Sequence, residues 1–272
     1  MNYTLILVYL LTIVIHIIDT LAYAIDLVGV RTHKLAVSIS LFNIITIIDK
    51  ISSLIQLPIL GSMIDNAIRI NDIVSLEPIF RVAMFLTTIG ALIGAILIPD
   101  FVIVFSRIVN LFEHTGSVIK VIGKALVSGR KYQSTLLSKT NRWNIVYKPA
   151  SVKYTSIKGL PKLMLCLNIF YNAFFSLSIF SSIYAGALLP EFRMTVSQLS
   201  GIIMGAAIML SIFIDPAAAM ITDLVMQGRY GEVKLKSMTF YLVIGKILGT
   251  VLAQLLFLPG ATLIVWIAQV FI

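Results

Sequence analysis

The stretch TIVIHIIDTLAYAIDLVGVR, Thr12 to Arg31, decides how the chain is read. At ~100° per helical residue, Thr12, His16, Asp19, Tyr23 and Asp26 fall within an arc of roughly 80°. One side of a Leu/Ile/Val helix therefore carries two carboxylates, an imidazole and a phenol. In a bilayer, each carboxylate near mid-depth costs ~2.5–3.5 kcal/mol to insert unless it meets a partner or water. The rest of the chain should build the polar cavity that makes this stripe tolerable.

Composition agrees. Of 272 residues, 59% are hydrophobic and only 12% charged, with a mean hydropathy of +1.00. That excludes an ordinary soluble domain. Six apolar runs approach or exceed the ~20 residues that cross a bilayer, at roughly 3–30, 35–62, 81–106, 163–189, 198–225 and 239–258. Gly29 with Arg31 should end the first, and Pro58 with Gly61 the second. Pro99 should interrupt the third, and Pro190 follows the fourth. Pro216 lies inside the fifth, and Pro259-Gly260 should bend or break the sixth, leaving a short apolar tail to Ile272. The first run is too long for the apolar region of a secretory leader and carries Asp19, so it reads as a permanent span. The single cysteine, Cys166, allows no intrachain disulfide.

The +9 formal charge is informative through its placement. Sixteen of the 21 Lys and Arg fall in one set of alternate connections: Arg31 and Lys34, then Arg107 with the ten basic residues from Lys120 to Lys162, then Arg229, Lys234 and Lys236. The other set holds only Arg69, Arg81 and Arg193, while Lys50 and Lys246 lie inside spans. The positive-inside rule makes the first set cytoplasmic and both termini extracytoplasmic. Three regions result: a first membrane half at 1–114, a basic cytoplasmic loop at 115–162 and a second membrane half at 163–272. The loop contains no acid, and its first part, SVIKVIGKALVSGRK, separates Val118, Ile122 and Leu126 from Lys120, Lys124 and Lys131, as an interfacial amphipathic helix does. Attraction to anionic membrane lipids is its plain role; collecting substrate is the sharper one. With the basic charge used this way, nucleic acid is not an expected partner.

A weak internal repeat runs through both halves. Tyr23-Ala24, Arg31, Val37-Ser38, Pro58-x6-Asp65 and Ile89-Gly90-x3-Gly94 recur in order as Tyr184-Ala185, Arg193, Val196-Ser197, Pro216-x6-Asp223 and Ile244-Gly245-x3-Gly249, about 155–162 positions later. Three helices per unit force the second to run inverted, the arrangement of alternating-access transporters. The fold expected is an all-α polytopic membrane protein of about six transmembrane helices, built as an inverted three-plus-three repeat.

Candidate residues follow from depth. His16, Asp19, Asp49, Lys50, Asp215 and Lys246 lie deep in their spans, where ionisable groups mark function by default. One arrangement pairs Lys50 with a carboxylate of the first helix. Asp26, Asp100 and Asp223 lie near the basic boundary, where hydration accounts for them equally well. The Gly-x3-Gly pairs at 90/94, 201/205 and 245/249 read as helix-packing faces. Asn168, Tyr171 and Asn172 read either as packing hydrogen bonds or as cavity wall. No Walker A, no Gly-x-Ser-x-Gly and no Cys/His metal spacing occurs. Neither a metal, a cofactor nor a catalytic residue is expected, and the chain reads as no enzyme.

The runs IHIIDTLAYAIDLVGVRTHKLAVSISLFN (Ile15 to Asn43) and DPAAAMITDLVMQGR (Asp215 to Arg229) resemble the Amj family of alternate lipid II flippases. Length, six spans and the long basic loop are similar too. His16, Asp19, Tyr23, Arg31, Asp215 and Asp223 match the family pattern; Asp26 and Lys50 are not carried over from it. The resemblance implies movement of the undecaprenyl-pyrophosphate-linked peptidoglycan precursor from the inner to the outer leaflet of a bacterial cell membrane. Arg31, Lys50, Lys246 and Tyr23 would then meet the headgroup, since charge-assisted contacts to phosphate are strong. His16, Asp19, Asp26, Asp49, Asp215 and Asp223 would couple protons or ions. Six helices make a thin wall around such a headgroup, so a homodimer is expected alongside lipid II as partner. Two other classes stay open: a small-ion transporter or channel using the carboxylates, and, least favoured, a membrane enzyme modifying polyprenyl phosphates.

Overall fold

The computed structural model describes residues 3–116 and 159–271, and these are helical throughout apart from short turns. Six segments among them are long and apolar enough to cross a membrane: Tyr3–Thr32, Leu35–Arg69, Leu76–Glu113, Lys162–Leu188, Pro190–Met226 and Glu232–Val270. They are the first to sixth spans below. The first is an α-helix to Leu21, a single 3₁₀ turn over Ala22–Ala24, and α-helix again to Thr32. The interfacial helix expected at 117–131 and most of the basic loop lie outside the described residues.

Three helix ends close by the same device. After the first span, His33 takes the left-handed conformation (φ 54°), its N–H bonding Val30 O while Lys34 N–H bonds Gly29 O. Asn71 (φ 56°) and Gly228 (φ 72°) close the second and fifth spans with the equivalent pair of bonds. Each satisfies carbonyls that the helix end would otherwise leave open.

The breaks expected at proline do not occur. The second span runs through Pro58 to Arg69, the third through Pro99 to Thr115, and the sixth through Pro259 to Phe271. A proline removes one N–H bond, but leaving the helix in hydrocarbon would unsatisfy several backbone groups at once, so continuing costs less. No separate apolar tail forms after Pro259. At 40 residues, the sixth helix is ~60 Å long, about twice the thickness of a bilayer core.

Packing divides the molecule into layers along its length. One apolar cluster joins Ile18, Val28, Val102, Met164, Ile221 and Leu242. A second joins Val8, Phe80, Met84, Leu177, Tyr184 and Phe257, with the rings of Tyr184 and Phe257 5.3 Å apart. Between them lies a belt of buried polar residues: Thr12, His16, Gln56, Thr88, Asn168, Asn172, Lys246 and Thr250. Gln56 Nε2 donates to Thr12 Oγ1 (2.6 Å), tying the second span to the first, and Gln254 Nε2 donates to Thr88 Oγ1 (2.8 Å), tying the sixth to the third.

Two glycine pairs set the helix spacing. A Cβ on Gly90 would lie 2.8 Å from Ile13 O, and one on Gly94 3.0 Å from Ile17 O. A Cβ on Gly249 would lie 2.5 Å from Ile169 O, while that of Gly245 would run into the Asn168 amide. The third span thus seats on the first as the sixth seats on the fourth. The Gly201/Gly205 pair is different: neither has an atom within 4 Å of its would-be Cβ, so it packs no helix among the described residues. The same motif is a contact only where a neighbour reaches it.

Candidate functional site: a polar cavity at mid-depth

The 3₁₀ turn at Ala22–Ala24 sits where Tyr23 meets the fourth span. Its hydroxyl donates to Asn168 Oδ1 (2.9 Å) and accepts from Asn172 Nδ2 (3.0 Å). Asn168 Nδ2 donates onward to Leu242 O (2.8 Å), and Thr239 Oγ1 donates to Tyr23 O (3.2 Å). One phenol therefore fastens the first span to the fourth and, through it, to the sixth. Asn168 and Asn172 are four residues apart and stack on one helix face, so both amides reach it.

One turn back along the first span, Asp19 meets Lys246. Nζ lies 3.5 Å from Oδ2, with the lysine side chain 4% exposed and that of the aspartate 21%. The distance makes an ion pair but a poor hydrogen bond. Asp19 Oδ2 and the neighbouring His16 Nδ1 are both buried without a hydrogen-bond partner. Leaving a buried polar atom unsatisfied costs ~1–3 kcal/mol. His16 is held by its Cβ against Gly90 and lies within electrostatic reach of Lys246.

Asp19 and Lys246, but not His16, border a cavity of about 180 Å³ whose wall also includes Tyr23, Tyr171, Asn172 and Asp215. The alternative left open for Asn168, Tyr171 and Asn172 resolves as both for the two asparagines, which hydrogen-bond across helices and line the space, while Tyr171 is cavity wall. The volume is below the ~300–1,000 Å³ of pockets that enclose a drug-sized ligand. It admits a phosphate-sized group, and anything larger must extend out between the helices.

Four expected residues, Asp19, Tyr23, Asp215 and Lys246, thus come together. Asp49 is half-buried on the second span, within electrostatic reach of Asp19 and Lys246. The pairing expected of Lys50 is not made. Lys50 is exposed, because the face of the second span turned to the first carries Ser52 and Gln56, and Lys246 supplies the cation instead. Arg31 is not at the cavity either: it lies ~12 Å along the helix from Tyr23, with Nε 2.7 Å from Glu232 Oε1. Between cavity and basic end, half-buried Asp26 lies within electrostatic reach of Asp215 and Asp223. Asp215 and Lys50, at mid-span yet exposed, need a groove that admits water. No group of three His, Cys, Asp or Glu able to hold a metal occurs among the described residues.

Two comparisons bear on this arrangement. The model of the family described as "Amj: Alternate to MurJ" matches residues 11–268. "Lipid II flippase Amj" of Bacillus subtilis (strain 168) is 35% identical over 266 residues, covering 97% of this chain and 96% of that protein. No solved structure gives a significant match. The match spans both halves and every residue of the cavity, and this multi-pass membrane chain belongs to the Amj family.

Proposed function

We propose that this protein is a lipid II flippase, carrying the undecaprenyl-pyrophosphate-linked peptidoglycan precursor from the inner to the outer leaflet of the cell membrane. The observation that carries the reading is kinship over nearly the whole chain with a lipid II flippase. The chain moves its substrate without altering it and is no enzyme. A mid-depth cavity with a buried ammonium supports the reading, because a flipped lipid must bring an anionic pyrophosphate through hydrocarbon. Lys246 receives the pyrophosphate, Tyr23 and Asp215 border it, and Lys50 meets it on the exposed side. The sugar and peptide, too large for the cavity, travel in the groove outside.

His16, Asp19 and Asp49 form the coupling group. Oδ2 and Nδ1, both without hydrogen-bond partners, are where a proton is taken up and released as Lys246 changes partner. The basic end faces the cytoplasm with anionic lipids along its loop, and both termini face outward. Residues 1–114 and 163–272 form the two halves of an inverted repeat, which the matching seats of Gly90/Gly94 and Gly245/Gly249 support. A second copy packs on the exposed Gly201/Gly205 face of the fifth span, the least buried of the six.

Reconstitution tests the reading. Vesicles containing the purified protein and fluorescent lipid II should bring inner-leaflet lipid to an external quencher, with the lipid recovered chemically intact. Ion flux without added lipid and no movement of lipid II would overturn it in favour of an ion pathway.

A further inference from the structure

The repeated motifs pair across the halves in a way that the central cavity does not use. Asp65, from the second span, forms an ion pair with Arg193, at the start of the fifth. Both belong to the repeat: Asp65 closes the Pro58-x6-Asp65 motif, and Arg193 follows Tyr184-Ala185 as Arg31 follows Tyr23-Ala24. Their counterparts are Asp223 and Arg31, also one from each half, at the opposite end of the molecule. That second pair is not formed. Arg31 Nε is with Glu232, and no ion pair of the described residues engages the exposed Asp223 carboxylate.

We infer that Arg193–Asp65 and Arg31–Asp223 are alternative closures of the two ends, one made as the other breaks. The inference rests on the transport reading for its purpose but on the pairing for its content. Two related halves of an inverted repeat exchange conformations when access switches sides, so a contact made at one end should be lost there and made at the other. The partners are prepared for the exchange. Lys236 Nζ lies 3.5 Å from Glu232 Oε1, so Glu232 keeps a cation when Arg31 leaves. Asp26, Asp215 and Asp223 gather like charge that an arriving guanidinium would neutralise. The formed pair is itself half-exposed on both sides, 43% and 53%, so it opens readily.

Space for the motion is present on one helix face. The fourth span lines the central cavity with Asn168, Tyr171 and Phe175, and lines a second cavity of about 400 Å³ with Ile179 and Ser182. That second cavity is bordered by Asp65, Arg193, Ser197 and Gln198. The two lie in tandem, so opening the pair extends the mid-depth site toward the far end. The Arg193 turn is rigidly seated, since a Cβ on Gly186 would lie 3.2 Å from Arg193 Cγ and 2.8 Å from Ser197 Oγ. Opening at this end therefore falls to the second span, and closure at the other end to approach of the first and fifth.

Cysteine pairs test this in the full chain, with Cys166→Ala as background. A disulfide formed by a mild oxidant between Arg31→Cys and Asp223→Cys should raise labelling of the remaining thiol, Gln198→Cys, by an impermeant maleimide several-fold. A crosslink across Asp65→Cys and Arg193→Cys should lower it. The charge exchange Asp65→Arg with Arg193→Asp should behave as the wild type, whereas Asp65→Asn alone should raise labelling. Equal labelling in all these states overturns the inference, whatever the substrate is. Reciprocal labelling without lipid II movement keeps the two closures and overturns the flippase reading instead.

Discussion

Lys246 Nζ and Asp19 Oδ2 stand 3.5 Å apart at the centre of the membrane domain, close enough to neutralise each other and too far to satisfy each other. A pair optimised for stability would close that distance and fill the remaining hydrogen-bonding positions. Here the carboxylate also faces a cavity. The ammonium is thus retained in a low-dielectric place by a partner from which a competing anion can take it.

Removing one member should harm the fold more than removing both. Lys246→Met leaves Asp19 uncompensated and should lower stability by up to about 3 kcal/mol, at the low end for breaking a buried pair because Asp19 is partly open. Adding Asp19→Asn should recover most of that loss without restoring lipid II movement. Thermal midpoints in detergent, set beside a flipping assay, separate the two effects.

The tyrosine that joins three spans should matter through its hydroxyl. Tyr23→Phe leaves the Asn168 and Asn172 amides one partner short, at a cost of ~1–3 kcal/mol. Transport should fall with it, while Tyr9→Phe, whose hydroxyl makes a single 3.3 Å bond to Ile79 O, should transport normally. Initial flipping rates for both variants at equal protein level check this.

Glycines with the same spacing should diverge. Gly249→Ala puts a methyl group 2.5 Å from Ile169 O, backbone that cannot yield cheaply, and should cost ~1–3 kcal/mol. Gly201→Ala meets nothing within the chain and should gain up to ~1 kcal/mol of helix propensity. At high protein concentration, where the proposed second copy packs on this face, the same methyl group should instead weaken association, seen as a loss of crosslinking between copies.

The coupling role assigned to His16 predicts a change in pH response rather than only in rate. An imidazole that takes up and releases a proton during the cycle ties the rate to pH, so flipping by the wild type should vary with pH. His16→Gln should flatten the profile. Equal profiles for the two proteins would remove His16 from the coupling group.

Much of this was legible in the residues. The 100° period alone put His16, Asp19 and Tyr23 on one face, and the cost of charge in hydrocarbon asked for a cavity there, which Asp19 and Tyr23 line. Gly90/Gly94 and Gly245/Gly249 announced close helix approaches that the fold makes. What periodicity lacks is knowledge of neighbours. It fixes the direction of Lys50 around its own helix but not which helix lies opposite, so the cation from the sixth span, Lys246, could not be told from Lys50. The Gly201/Gly205 motif looked the same as its working counterparts for that reason. The prolines misled differently: the penalty that ends a helix in water is outweighed in lipid, and Pro58, Pro99 and Pro259 are passed through. Asp65 and Arg193 were visible as repeated positions, but only the fold brings them together.

The most direct test of the central claim is leaflet-resolved lipid II in living cells. In a bacterium lacking other lipid II flippases, depletion of this protein should reduce externally exposed lipid II and accumulate it in the inner leaflet. Wild type should restore exposure, and Asp19→Asn at matched membrane levels should not. Unchanged exposure on depletion would contradict the account, and full rescue by Asp19→Asn would contradict the place it gives to the cavity.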